Sequence, residues 1–325
     1  MFIFGKIDNS QPVVMKGSFS QYSPGMQFLM LVFLGLGGLV FFTAMGTMLA
    51  SLSYPFSVAE LMEGNNGMDP TANADVLKIS AGFHQPGHFF SAWPAGGLSF
   101  SSEPGRYLGS SHFPNRGGLV IILVVLLALG ATTVSDALYR FSSSFEWPEF
   151  LGFLKEFSER TEQLLGEQIE SFLQMDSFGE FLEVFFILAI LPAVGEETLF
   201  RGVLQPIFKK WLGNFHLGIL LTALCFALLH QQFTTFLSIF ALGVVMGYLR
   251  EWSGSLWVPV LMHLINNGPI VVAAYYWDLS YGQINDLSGE WQIEYAIPGI
   301  AVFAVSLLAL QQLFKRQRTN GLANT

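Results

Sequence analysis

Residues 194–206 read V-G-E-E-T-L-F-R-G-V-L-Q-P (Val194–Pro206) and close an apolar run, Phe181–Val194, with three ionisable side chains: Glu196, Glu197 and Arg201. Even on the mildest scales a charge at membrane depth costs about 2.5–3.5 kcal/mol. These groups therefore need partners, water or a chemical task. Glu197 and Arg201 stand four residues apart and can pair on one helix face. Glu196 points roughly 100° away, at ~3.6 residues per turn. One carboxylate is then structural and the other is free to act. The plainer alternative is an ion-pair cluster that locks two helices together.

Working outward, the whole chain has the composition such a segment requires. Of 325 residues, 52% are hydrophobic and only 12% charged, against a usual charged share of about 25%. Several apolar runs approach the ~20 residues that span a bilayer as helix. The expected fold is all-α: a polytopic transmembrane bundle of about eight spans with an extra amphipathic surface helix. The net charge of −9 and the lack of a basic stripe argue against nucleic acid as a partner. The single cysteine, Cys225, excludes an internal disulfide, and its apolar surroundings (L-C-F-A-L-L) argue against a nucleophile. Lys6, Asp8, Pro12 and Lys16 interrupt the first residues, so no cleavable signal peptide is expected.

Three regions follow: 1–180, with N-terminal spans, an ambiguous hairpin and an acidic amphipathic helix; 181–314, the helical core; and 315–325, a basic tail. Gln27–Leu52 and Gly117–Ala137 read as spans. Val76–Ser101, broken by Pro86 and Pro94, reads either as a kinked span or as a loop dipping into the interface. Phe145–Glu183 carries Phe150, Leu154, Phe157, Leu164, Leu165, Ile169, Phe172 and Leu173 near helical spacing. Its polar face is acidic, which suits docking on protein better than on anionic lipid. Beyond the Glu-Glu stretch the helix should continue to about Phe208. Leu217–His230, Thr234–Leu249, Leu256–Tyr276 and Tyr295–Phe314 are further apolar helices, with Arg250–Gly254 read as a turn.

Lys and Arg are retained on the cytoplasmic side. The tail residues Lys315, Arg316 and Arg318 therefore fall inside, with Lys209, Lys210, Arg250, Arg106 and Arg116. The acidic 145–180 segment falls outside. Eight spans, counting 76–101, place both termini in the cytoplasm of a prokaryotic cell, with the protein in its plasma (inner) membrane. This scheme sets His230 near the outer end of a short helix, away from Glu196, unless that helix tilts or has another register.

Three more polar residues sit in apolar helices. His230 ends F-A-L-L-H, with Phe226 one turn earlier. His263 lies in V-L-M-H-L-I-N-N, with Asn267 one turn later on the same face. A lone core histidine is usually just hydrogen-bonded. Two of them, an amide and a spare carboxylate on neighbouring apolar helices make coincidence the weaker account. The chain lacks H-E-x-x-H and G-x-S-x-G. A carboxylate with imidazoles can activate water as a general base, and His or Asn donors can hold an oxyanion.

The ordered set E-E-T-L-F-R (Glu196–Arg201), F-A-L-L-H (Phe226–His230) and H-L-I-N-N (His263–Asn267), with G-S-L-W-V-P-V-L-M-H (Gly254–His263) between, resembles the CPBP intramembrane proteases. That group includes the CAAX prenyl endopeptidases and bacteriocin-immunity-type proteins. The resemblance covers roughly Phe181–Ala274. It implies a bundle of about eight helices around a cavity open to the membrane, and an endopeptidase acting on a peptide or protein. It further implies Glu196 as the base that activates water, His230 as its assistant, and His263 with Asn267 as the oxyanion site. Glu197, Arg201 and Phe226 would support them. No cofactor is expected, although Glu196, His230 and His263 make zinc a conceivable alternative. Two other functions fit the same residues: a non-catalytic immunity, sensor or scaffold protein that keeps the polar cavity, or a proton-coupled transporter.

Overall fold

The computed structural model describes residues 19–53, 104–110, 112–145, 148–287 and 293–323. Val76–Ser101, and with it the choice between seven and eight spans, lies outside the described residues. Among the described residues every regular element is helical. They form α1 (Pro24–Ser53), α2 (Pro104–Leu108), α3 (Gly117–Ser143), α4 (Gly152–Leu173), α5 (Phe178–Leu212), α6 (Phe215–Leu229), α7 (Phe236–Ser253), α8 (Trp257–Trp277), α9 (Tyr281–Leu287) and α10 (Ile293–Ala323).

This is an all-α integral membrane protein. Gly117–Ser143, Phe178–Leu212, Trp257–Trp277 and Ala296–Thr319 are each long and apolar enough to cross a bilayer, and Pro24–Gly38 and Phe215–Leu229 are shorter apolar helices. The outer surface agrees: Phe33, Leu129, Leu229 and Val305 are all well exposed. A water-facing domain would not scatter such side chains over its helices, whereas lipid accepts them.

Helix boundaries follow local chemistry. Among the described residues the 145–183 stretch holds a 3-10 turn (Glu149–Leu151), α4 and the start of α5. Ser177 accepts from Glu180 N at 3.2 Å while Glu180 Oε2 accepts from Asp176 N at 2.8 Å, so a reciprocal cap starts α5 at Phe178. Gly213 (φ +63°) ends α5, and Asn214 caps α6 through His216 N and Leu217 N. The expected turn at Arg250–Gly254 is still helix as far as Ser253. Only Gly254, with φ +68°, breaks it, and its N–H returns to Arg250 O. The last helix likewise runs on through the basic residues to Ala323.

Helix α5 is not uniformly α. It widens to π turns at Phe186–Ile190 and Thr198–Leu204, on either side of the Glu-Glu pair. Leu191 N bonds Phe186 O and Gln205 N bonds Phe200 O, five residues back in each case. Pro192 and Pro206 follow these turns and have no N–H to give to the preceding turn.

Around α5, helix α6 returns antiparallel. A Cβ at Gly218 would stand 2.9 Å from Lys209 N, so only glycine lets the two backbones approach this closely. Helix α7 then runs parallel to α5: Arg201 bonds Gly243 O at 3.0 Å and Gln205 bonds Gly247 O at 3.1 Å. Helix α8 is antiparallel again. The core gathers Val203, Leu204, Phe208, Phe226, Leu249 and Met262 from these four helices.

Candidate active site

The helix registers decide where the site lies. From the Lys209–Gly218 contact, nearly equal lengths of helix lead back to Glu196 and on to His230, so these two end at one level. The short helix α6 does not cross the bundle; it stops at site depth with His230 as its C-cap. The conflict posed by loop counting is resolved this way. The α6–α7 joint is covered by α4: Phe233 N donates to Ser158 Oγ at 3.0 Å and Thr234 N to Glu162 Oε1 at 3.2 Å.

Glu197 and Arg201 are fully buried and paired at 2.8 Å. The guanidinium also lies 4.6 Å from the centre of the Phe226 ring, a cation–π contact. Glu197 has a second task that spacing did not reveal: its Oε1 accepts from His263 Nδ1 at 2.9 Å. The two residues are on different helices, and a single sequence carries no signal for such a bond.

The histidine tautomers follow from their partners. His230 Nδ1 lies 2.7 Å from Phe226 O, and a carbonyl only accepts, so Nδ1 carries the proton. His263 Nδ1 meets a carboxylate, so it too is the donor. Each neutral imidazole then presents its Nε2 lone pair. Both Nε2 atoms face Glu196 Oε2, at 4.0 Å from His230 and 3.9 Å from His263. Phe226 packs against both rings, 4.5 Å centroid to centroid from His230 and edge-on to His263. Glu196 Oε2 is buried without a hydrogen-bond partner among the described residues. Three acceptors thus converge, an arrangement suited to a proton-bearing guest or a cation.

The spacing bears differently on these two guests. Zinc bound by Glu196 and either histidine at ~2.0–2.1 Å would need an angle of about 135° or more to span these separations, wider than tetrahedral. A water at ordinary hydrogen-bond length from each group needs only about 90°. Among the described residues no group of three His, Cys, Asp or Glu side chains has metal-site geometry.

Asn267 lies one turn beyond His263, as its spacing requires, but its amide is engaged elsewhere. Pro192 has no N–H for the carbonyl one turn earlier, and that carbonyl, Leu188 O, accepts from Asn267 Nδ2 at 3.4 Å. Asn267 Oδ1 accepts from Asn266 Nδ2 at 3.2 Å. The Glu196–His230–His263 cluster is therefore assembled directly, while Asn267 spans α8 and the proline kink of α5.

Residues 178–268 match the family model described as type II CAAX prenyl endopeptidase Rce1-like, and this segment contains all seven residues above. Over this segment the chain is similar to the CAAX-protease-like proteins. The match to curated relatives is local. The chain is 32% identical over 94 residues to the "Membrane-embedded CAAX protease MroQ" of Staphylococcus aureus, 27% of this chain and 38% of that one. It is 37% identical over 79 residues to the "Uncharacterized 24.3 kDa protein" of Escherichia coli (23% and 36%), and 37% identical over 82 residues to YpbD of Bacillus subtilis (24% and 39%). The chain thus spans well under half the length of the curated relatives it matches. No solved structure matches it.

Proposed function

We propose that this CAAX-protease-like membrane protein is an intramembrane endopeptidase in which Glu196 activates the attacking water. The observation that carries this reading is the convergence of Glu196 Oε2, His230 Nε2 and His263 Nε2 on one point between apolar helices. A water held there donates one proton to Glu196 and the other to His230. As it attacks the peptide carbonyl, Glu196 takes its proton and passes it to the leaving amine. Glu197 fixes the ring of His263 through Nδ1, in the way carboxylates orient working imidazoles elsewhere. With Nδ1 so engaged, His263 donates to the oxyanion only as imidazolium. Asn267 joins it as second donor by releasing Leu188 O.

The substrate is a peptide or protein reached from the bilayer. The name of the staphylococcal relative makes a peptide ending in a prenylated CAAX motif the first one to test. We read the protein as residing in a plasma membrane with its basic end in the cytoplasm, and as using water without a metal cofactor.

The deciding experiment is a cleavage assay in detergent with prenylated and unprenylated peptides, comparing wild type with Glu196→Ala. The variant should fold and lose turnover; unchanged turnover would end the proposal. Activity should also survive thorough chelation. Loss of activity restored by zinc would replace the water reading with a metal one.

A further inference from the structure

Behind the Glu197–Arg201 pair, toward the end of the bundle that carries Lys209, Lys210 and Arg318, lies a second polar cavity of about 230 Å³. Arg201, Gln205, Lys209, Arg250, Glu251 and Arg318 line it. We infer that this cavity binds a phosphate group, either that of an anionic phospholipid at the membrane surface or free phosphate.

The charges of the wall are not balanced. Glu197 answers Arg201, and Glu251 answers Lys209 at 2.7 Å. Among the described residues Arg250 and Arg318 hydrogen-bond only to backbone carbonyls: Arg250 donates to Tyr107 O at 3.5 Å and Arg318 to Glu251 O, and the one nearby carboxylate, Glu251, is shared with Lys209. Tyr107 brings no negative charge, because burial pushes its hydroxyl up to about 12 against the opposing pull of Arg250. Two cationic side chains are left over.

The buried hydrogen-bonding groups are not balanced either. Arg201 Nε, Arg250 Nε and Gln205 Oε1 are buried without hydrogen-bond partners among the described residues. Arg201 is fully buried and Gln205 nearly so, and both border the cavity. Two guanidinium groups offer the forked donors that phosphate accepts in pairs, and the Gln205 carbonyl oxygen can take a hydroxyl from the same ligand. The backbone is shaped around one of these forks. Gly109 has φ +71°, and a Cβ there would stand 2.6 Å from a terminal nitrogen of Arg250. Basic pockets between helices at the membrane surface commonly take lipid headgroups. Arg201 borders this cavity and also holds Glu197, so a ligand here touches the support of the active site without entering it.

The test uses the full chain in detergent, with Arg318→Gln, which alters an exposed residue, and Arg250→Gln. Native mass spectrometry should show wild type retaining phosphatidylglycerol about tenfold better than phosphatidylcholine, with each variant losing most of that preference. In parallel, inorganic phosphate is titrated against chloride at equal ionic strength while the melting midpoint is followed. A rise abolished by both substitutions assigns the site to phosphate itself. Lipid preference without a phosphate response assigns it to the headgroup. Equal retention of both lipids with no phosphate response, or responses that survive both substitutions, would overturn the inference.

Discussion

At the scale of single residues, two adjacent carboxylates have opposite energetic characters. Glu197 is fully buried and holds both Arg201 and His263, so removing either member of the ion pair strands a charge. Uncompensated charges of this kind cost about 3–5 kcal/mol. Arg201→Met should therefore lower the unfolding midpoint strongly in detergent melts, and Glu197→Leu should do the same. Glu196 Oε2 has no hydrogen bond to lose among the described residues. Glu196→Gln should melt like wild type yet lose about 10²–10⁴-fold in turnover, the usual worth of a general base. If Glu196→Gln proves the less stable of the two classes, the division of labour is wrong. The Glu197–Arg201 pair was legible from E-E-x-x-x-R alone, because residues four apart share a helix face. The hydrogen bond from His263 to Glu197 was not legible, because it crosses between helices that nothing local to either one aligns.

At the scale of elements, the site depends on a helix that stops short. Helix α6 ends at His230, and its joint to α7 is held from outside by Ser158 and Glu162 on the acidic helix α4. The sequence marked α4 as amphipathic and as docking on protein. Its second half does so: Phe172 and Leu173 pack against Val184, Ile187, Val271 and Ala274. Its first half keeps Phe153 and Phe157 exposed, so only part of the expected face is covered. We expect Glu162 to act as a positioning residue for His230. Glu162→Ala, which leaves Thr234 N without its acceptor, should reduce kcat several-fold with little change in KM. Glu162→Gln, which keeps an acceptor oxygen, should restore most of the rate. Equal loss in both variants would point to charge, and no loss in either would remove α4 from the mechanism. The π turns of α5 are a different matter. Proline positions foretell a disturbed helix, but the extra residue per turn is a choice made by packing. The amide of Asn267 on Leu188 O shows where that choice is read out.

At the scale of the whole molecule, charge is sorted to opposite ends. Lys209, Arg250 and Arg318 meet around Glu251, Gln317 bonds Asn115 O next to Arg116, and Trp257 bonds Ser110 O close to Arg106. The acidic helix α4 packs at the other end, where Tyr281 N donates to Glu170 Oε2. The sequence assigned these same groups to two sides of a membrane by counting charges, and the fold brings each set together in space without reference to any membrane. Basic ends are retained in the cytoplasm, so the sorting makes a prediction about orientation. In a chain carrying Cys225→Ala, Lys210→Cys should react with a membrane-impermeant maleimide in inverted vesicles and stay silent in intact spheroplasts. Glu159→Cys, on the exposed face of α4, should show the reverse. If both sites label from the same side, α5 does not cross the bilayer and Glu196 has no membrane depth to explain. If both label from the sides opposite to those expected, the fold stands but the phosphate cavity opens onto the other compartment.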